Sequence, residues 1–454
     1  MNIYNYNRDF FVCLLGRLNS LDLNYAIIGD YQNLPESISH DIDFWTDNPS
    51  KFLSAINDTV KEQRFKILLL NKQSMGAFNI AIYKRVDDGF CLMKLDIMRG
   101  CGYKSLYTLV DIDILRDNII PFKDFYVATP QSEAIQHLLF PLFEWGVIKK
   151  TEYLDEIKSN YKSDVFSKVL TKLFSEKEKD EIISFIDNDD WVGMKSCILS
   201  HKAAACRKQR LSLQFYGNLF RLICSHLRRF FHPCGVSIAI CGLDGAGKTT
   251  ILDILNRTFV NLLKERKVFF SYWRPFLFPE IRELFGKANS KTGNDDKLKR
   301  KVQTDKEQIK KSIKNVMVSH IKFAYYNIDY LFGRIKYAGI RARGGIVLFD
   351  RHYIDMVVHP NRFGMCLPLW YLKFFYKIMP TTDLTIFLWA TPDEIYKRKV
   401  EFTQEQIQEQ ISLYNEVGRL KNHFHCVETN KSIEEEIDEI LCLISEYTGA
   451  VIWL

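Results

Sequence analysis

The sequence has no Cys-x-x-Cys pair and no His/Cys cluster at zinc spacing, so its eleven cysteines outline neither a disulfide framework nor a structural zinc site. It has no uninterrupted apolar run of the roughly eighteen residues that would cross a bilayer, and no basic stretch leading into an apolar core between Met1 and Phe10. Low-complexity stretches and a repeat of fixed period are missing too, which argues against disordered, collagenous and solenoid classes. The expectation is a cytoplasmic protein in a reducing compartment. A net charge of +7 over 454 residues is modest and by itself points to no polyanionic partner. One absence is local: there is no Asp or Glu from His201 to Gly235, a segment holding Lys202, Arg207, Lys208, Arg210, Arg221, Arg228 and Arg229 beside Phe215, Leu219, Phe220, Leu222, Ile223 and Leu227. That pattern predicts a basic amphipathic helix over 214–235. Peripheral contact with an anionic membrane is one reading of it, and a helix bridging two domains with its apolar face packed inward is the other.

What is present is globular: 47% of residues are hydrophobic and 26% charged, in a chain long enough for two or three domains. A mixed strand and helix region (1–130, α+β) precedes a helical segment (131–213), in which Ser132 to Trp145 and Tyr153 to Phe174 carry apolar residues at helical spacing. Ser175 with Glu178 has the form of a capping box for the next helix. From 236 onward, apolar runs at Val236–Cys241, Lys267–Tyr272, Gly345–Phe349 and Leu384–Trp389 alternate with helical segments. This predicts an α/β domain: a parallel sheet with helices on both faces.

The run at Val236 leads straight into Gly242-Leu-Asp-Gly-Ala-Gly-Lys-Thr, which fits GxxxxGK[ST] between a strand and a helix. In such a loop Gly242, Gly245, Ala246 and Gly247 let the backbone approach phosphates. Lys248 reaches the β and γ oxygens, Thr249 offers a hydroxyl to magnesium, and Thr250 is counted with them among the nucleotide-binding residues. About a hundred residues on, Gly345-Ile-Val-Leu-Phe-Asp350 is a strand ending in a carboxylate, the form of an acid that holds the metal through water. ATP and Mg2+ are the ligands these motifs call for.

The phrases Gly242-Leu-Asp-Gly-Ala-Gly-Lys-Thr-Thr250, Asp350-Arg351-His352-Tyr353 and Leu388-Trp-Ala-Thr-Pro-Asp-Glu-Ile-Tyr-Lys-Arg398 resemble the loop, DR(Y/H) motif and lid segment of the thymidylate kinase family, over about the last 220 residues. The resemblance implies an ATP-dependent kinase in which Asp244 faces the acceptor, Arg351 holds the acceptor phosphate or the transferring group, and Arg398 with Lys399 closes over ATP. On the acceptor side the chain departs from that family: Tyr272-Trp273-Arg274-Pro275 replaces an REPGGT-like phrase, and Ile354 to Arg362 replaces SxxAYQ. The chain looks more like the thymidylate-kinase-like proteins of bacterial surface polysaccharide synthesis, which implies a sugar or glycan acceptor rather than dTMP. Asp355 is a candidate base for an acceptor hydroxyl and His359 a second one, each with the plainer reading of a polar helix residue. Arg274, just past a strand at the carboxyl edge of the sheet, is a candidate substrate ligand.

Near the amino terminus, Asn24-Tyr-Ala-Ile-Ile-Gly29 is a short strand ending in glycine. Asp41-Ile-Asp43-Phe44 follows, and Lys94-Leu-Asp96-Ile-Met supplies a third acid on another alternating strand. Alternation puts Asp41 and Asp43 on one face, and three convergent carboxylates suit divalent metal. The pattern resembles the polymerase-β-type nucleotidyltransferases over about the first 130 residues, with Gly29-Asp30 in place of their Gly-Ser. The sequence thus reads as a kinase fused to a nucleotidyltransferase-like domain. A nucleoside monophosphate kinase and an ATP-gated scaffold are the alternatives. No basic stripe interleaved with aromatics accompanies the acids, which argues against a nucleic-acid partner.

Overall fold

The computed structural model describes residues 3–38, 41–72, 77–86, 89–263, 267–279, 305–400 and 402–452. The chain divides into two compact units, Met1–His232 and Pro233–Leu454.

In the first unit a seven-stranded mixed sheet has the order β3-β4-β5-β2-β1-β9-β8. Its strands are β1 (Tyr25–Ile28), β2 (Asp41–Thr46), β3 (Lys66–Lys72), β4 (Phe78–Val86), β5 (Gly89–Met98), β8 (Ile119–Phe122) and β9 (Phe125–Ala128). A separate hairpin is made by β6 (Cys101–Tyr103) and β7 (Tyr107–Val110). Strand alternation decides what each face of the large sheet carries. Phe44 on β2 packs 5.1 Å from Phe52 of helix Pro49–Glu62 and 6.3 Å from Phe11 of helix Ile3–Ser20, so Asp41 and Asp43 fall on the opposite face.

After β9 the chain is helical. Thr129 caps helix Pro130–Glu144, and four further helices, Glu152–Asn160, Asp164–Leu173, Glu176–Asp187 and Trp191–Gln209, share one apolar cluster with the hairpin. The apolar spacing from Tyr153 to Phe174 belongs to two helices rather than one, because the Ser163 side chain accepts from Phe166 N and starts a new helix. At Ser175 the capping box with Glu178 forms in both directions. The basic helix runs from Leu213 to Phe231, within the first unit.

The second unit is a five-stranded parallel sheet in the order β11-β12-β10-β13-β14. These strands are β10 (Ser237–Gly242), β11 (Val268–Tyr272), β12 (Ile346–Asp350), β13 (Leu384–Trp389) and β14 (Phe424–Glu428). The central three are buried on both faces, which is why they read as near-continuous apolar runs. Ala239, Cys241, Val347, Phe349 and Phe387 share a core with Tyr330, Met356, Leu372 and Tyr414, from helices Asp305–Ala342, Tyr353–Val358, Leu369–Ile378 and Gln404–Gly418. Helices Lys248–Leu263 and Ile433–Ile452 pack on the sheet and on each other. The order puts the turn after β10 between the carboxyl ends of β12 and β13, the place where open parallel sheets bind ligands.

Candidate active site

The chain leaves β10 through Gly242 at φ +149°, where a Cβ would come within 2.5 Å of the Leu388 carbonyl oxygen on β13. No other residue fits there. At Gly245, φ +93°, a Cβ would lie 3.3 Å from Cβ of Lys399, so the segment after helix Pro392–Arg398 rests directly on the loop. The next helix starts at Lys248, which brings its unbonded amide groups to the same spot. Ala246 is buried beneath the loop, while Gly245, Gly247, Lys248, Thr249 and Thr250 line a cleft of about 480 Å³. The other walls of this cleft are Asp244, Tyr272, Asp350, Arg351, Arg362 and Lys399.

Asp244 is the electrostatic centre of the cleft. Its Oδ1 accepts from Nη2 of Arg351 and lies 3.5 Å from Nζ of Lys248. Oδ2 accepts from Nη2 of Arg362 at 2.8 Å and lies 3.9 Å from Nζ of Lys399. Burial alone would raise the Asp244 carboxyl, but Arg351, then Arg362 and Lys248, hold it well below the usual carboxylate range. Lys248 also donates to the Leu243 carbonyl at 2.6 Å, and burial, helped by Arg351, lowers the pKa of its ammonium. Four cations around one carboxylate are arranged to receive polyanionic phosphate.

Arg351 owes its position to a left-handed backbone, φ +70°, at the end of β12, with its N–H bonded to the Ile240 carbonyl at 2.9 Å. Nη1 donates to Oδ1 of Asp355 at 3.1 Å, and the same oxygen accepts from the Tyr414 hydroxyl at 2.8 Å. Oδ2 of Asp355 accepts from the His352 amide at 3.0 Å. Asp355 is therefore 1% exposed with both oxygens engaged, and it does not line the cleft where the base for an acceptor hydroxyl was expected. His359, half-buried against Tyr414, does not line the cleft, and burial lowers its pKa.

Asp350 shows the opposite pattern. Its Oδ1 is buried and meets no hydrogen-bond donor among the described residues. Burial pushes the carboxyl up, and Arg351 and Lys248 only partly offset this. Asp350 lines the same cleft as Thr249, and a carboxylate beside a hydroxyl is a hard-oxygen pair of the kind magnesium takes. Asp350 and Thr249 thus fit the metal that the motifs call for.

Two other expected ligands lie elsewhere. Arg274 is 1% exposed, and its Nη1 pairs with Oδ2 of Asp329 at 3.1 Å while its guanidinium stacks 4.3 Å from the Phe276 ring centre. Asp329 in turn accepts from the Leu277 and Phe278 amides at 2.9 and 3.0 Å. The pair joins the segment after β11 to helix Asp305–Ala342, and Arg274 does not line the cleft where it was expected to meet substrate. Arg398 donates to the Thr429 carbonyl at 2.9 Å and does not line the cleft, whereas its neighbour Lys399 does. Arg362 and Tyr272 line the cleft as well, and sequence reasoning named neither as a ligand. Arg362 lies within a short 3-10 turn, Pro360–Phe363, and no motif marks it.

In the first unit, β2 and β5 run parallel with Asp43 opposite Asp96 and Asp41 opposite Lys94. That register brings Asp41, Asp43 and Asp96 together, with one carboxylate oxygen of each within 4.8 Å of the others. Lys94 Nζ sits among them, 2.8 Å from Asp41 Oδ1 and 2.6 Å from Asp96 Oδ2. Burial would lower the Lys94 pKa, but Asp96 and Asp41 outweigh it and the net shift is upward. Asn79 on β4 donates to the other Asp96 oxygen. The donor set is one a divalent ion accepts, but two of its oxygens are already held by an ammonium, which an ion must displace. At the end of β1 the Gly29 amide donates to Glu133 Oε1 at 2.9 Å, and burial raises the Glu133 carboxyl to about 7.

No protein-family model matches the chain, and no curated protein matches it. Among solved structures, the chain is similar to the thymidylate kinase from Candida albicans, at 19% identity over 47% of this chain and 92% of that one, with a TM-score of 0.31. It is also similar to the thymidylate kinase from Ehrlichia chaffeensis, at 15% identity over 46% of this chain and 98% of that one, with a TM-score of 0.29.

Proposed function

We propose that the second unit is an ATP-dependent phosphotransferase whose acceptor is a small molecule already carrying a phosphate, such as a sugar phosphate, a phosphorylated glycan intermediate or a nucleotide. The observation that carries this reading is the convergence of Lys248, Arg351, Arg362 and Lys399 on Asp244, in a cleft that Asp350 also lines. Thr249 and Asp350 would hold magnesium, which would supply charge neutralisation at the phosphates. Lys248 and Lys399 bind phosphate oxygens of ATP, and Arg351, braced from behind by Asp355 and Tyr414, orients the transferring group against the acceptor. Among the described residues the carboxylates lining the cleft are Asp244 and Asp350. Asp244 is too acidic to serve as a base and Asp350 would hold the metal, so neither of these carboxylates takes a proton from an alcohol acceptor. A phosphate is ionised at neutral pH and needs none.

The test is ATP consumption by the full chain against nucleoside monophosphates, sugar phosphates and the matching unphosphorylated sugars, with products identified by mass. Turnover is expected with a phosphorylated acceptor and not with its unphosphorylated counterpart. dTMP is expected to be a poor acceptor, because the segment after Tyr272 turns its arginine into the protein; efficient dTDP formation would refute that. Nucleotide binding without turnover on any acceptor would favour an ATP-gated scaffold. Arg362 has a half-exposed side chain and supports no core. Arg362→Ala is therefore expected to raise the acceptor KM about tenfold or more while leaving the thermal midpoint unchanged. A lowered midpoint with unchanged KM would remove it from the site.

For the first unit the proposal is a nucleotidyltransferase-like acid site, resting on the convergence of Asp41, Asp43 and Asp96. Both units are assigned to the cytoplasm, where ATP is available and all eleven cysteines, free in the structure, stay reduced.

A further inference from the structure

Helix Leu213–Phe231 has two apolar faces, and the first unit uses one of them. On the inner face Phe215 packs 5.5 Å from the Tyr107 ring, the Asn218 amide donates to the Leu106 carbonyl at 3.1 Å, and Gln214 donates to the Thr108 hydroxyl at 3.1 Å. These contacts fix the rotation of the helix on the hairpin. The outer face is then set by geometry: Leu213, Tyr216, Phe220, Ile223 and Leu227 recur every three or four residues, and each is at least half exposed, from 50% at Ile223 to 92% at Leu213. A stripe of large apolar side chains over four turns is more than the scattered exposure a protein surface ordinarily shows.

The charges bordering the stripe identify its partner. Arg221 and Arg228 are exposed and lie along one edge at helical spacing, and the helix contains no Asp or Glu. A second copy of this helix would bring another apolar stripe with the same arginines and no carboxylate to pair with them. A lipid surface with anionic headgroups offers hydrocarbon for the stripe and negative charge for its edge. No helix among the described residues is long and apolar enough to cross a membrane, so the geometry is that of a helix lying in the interface.

We propose that helix Leu213–Phe231 is an in-plane anchor that lays the protein on an anionic lipid surface, with Leu213, Tyr216, Phe220, Ile223 and Leu227 entering the headgroup boundary and Arg221 and Arg228 at the phosphates. The inference is independent of the phosphotransfer reading, since it concerns a different unit and a different readout.

Flotation of the full chain with vesicles tests it. Binding is expected to vesicles of phosphatidylcholine mixed with phosphatidylserine, to weaken with salt, and to be much lower on phosphatidylcholine alone. Phe220→Glu, at an exposed position where folding is not at stake, is expected to abolish binding. Arg221→Ala with Arg228→Ala is expected to reduce it by about tenfold or more, at about 1 kcal/mol for each arginine. Circular dichroism confirms that each variant keeps its helix. Absence of binding by the parent protein, or equal binding by Phe220→Glu, would overturn the proposal. So would a dimer that Phe220→Glu dissociates in the absence of lipid binding, which would make a second copy the occupant.

Discussion

Lys248→Ala is expected to lower phosphoryl transfer by at least about a thousandfold while leaving a folded protein, because one positioned cation at a transferring phosphate contributes on that scale. The side chain lies nine-tenths buried at the floor of the cleft, yet the fold makes little use of its charge. Burial disfavours the ammonium, Arg351 repels it, and its one close bond is to the Leu243 carbonyl. Asp244 keeps Arg351 and Arg362 when Lys248 is gone, so no buried carboxylate is stranded. Steady-state kinetics alongside thermal unfolding separate the two effects. A folded alanine variant that turns over at the parent rate would reject the site.

The largest expected effect on stability lies at the buried Arg274–Asp329 pair. Asp329→Ala leaves Arg274 as a buried charge without its carboxylate and also removes the acceptor of two backbone amides. Breaking a buried pair from one side costs about 3–5 kcal/mol, a large part of a typical domain stability of about 5–15 kcal/mol. Arg274→Met combined with Asp329→Leu should recover much of the loss, since it removes both charges together. Denaturant midpoints measure this directly. If Arg274 instead contacted substrate, Arg274→Met would change KM and leave the midpoint where it was.

Both assignments show how far local sequence reaches. The phosphate loop is legible because its determinants are contiguous: a buried strand, glycines where Gly242 meets the Leu388 carbonyl, and a lysine opening a helix within eight residues of sequence. Asp350 is legible for the same reason, as the last residue of an apolar run. The acid triad needs only period-two alternation and one parallel pairing, although the register that inserts Lys94 between Asp41 and Asp96 depends on how β2 and β5 align. Arg274 and Arg362 are not legible. What decides them is a partner far along the chain: Asp329 lies 55 residues from Arg274, and Asp244 lies 118 residues from Arg362. Whether an arginine after a strand points into a cleft or under a helix depends on such a partner, and no motif encodes it. Asp355 is intermediate. Its spacing after His352 has the form of a helix cap, but the Tyr414 hydroxyl that completes its burial comes from another helix.

The four cations gathered on Asp244 also bear on how the protein should be handled. A cleft with this surplus of positive charge does not distinguish a nucleotide's phosphate tail from other multivalent oxyanions at high concentration. Sulfate from precipitation, phosphate from buffer or pyrophosphate from a coupled assay would occupy the same donors and raise the apparent nucleotide requirement in proportion to their concentration. Chloride-based buffers of low ionic strength are therefore the setting in which to test the proposed binding of ATP.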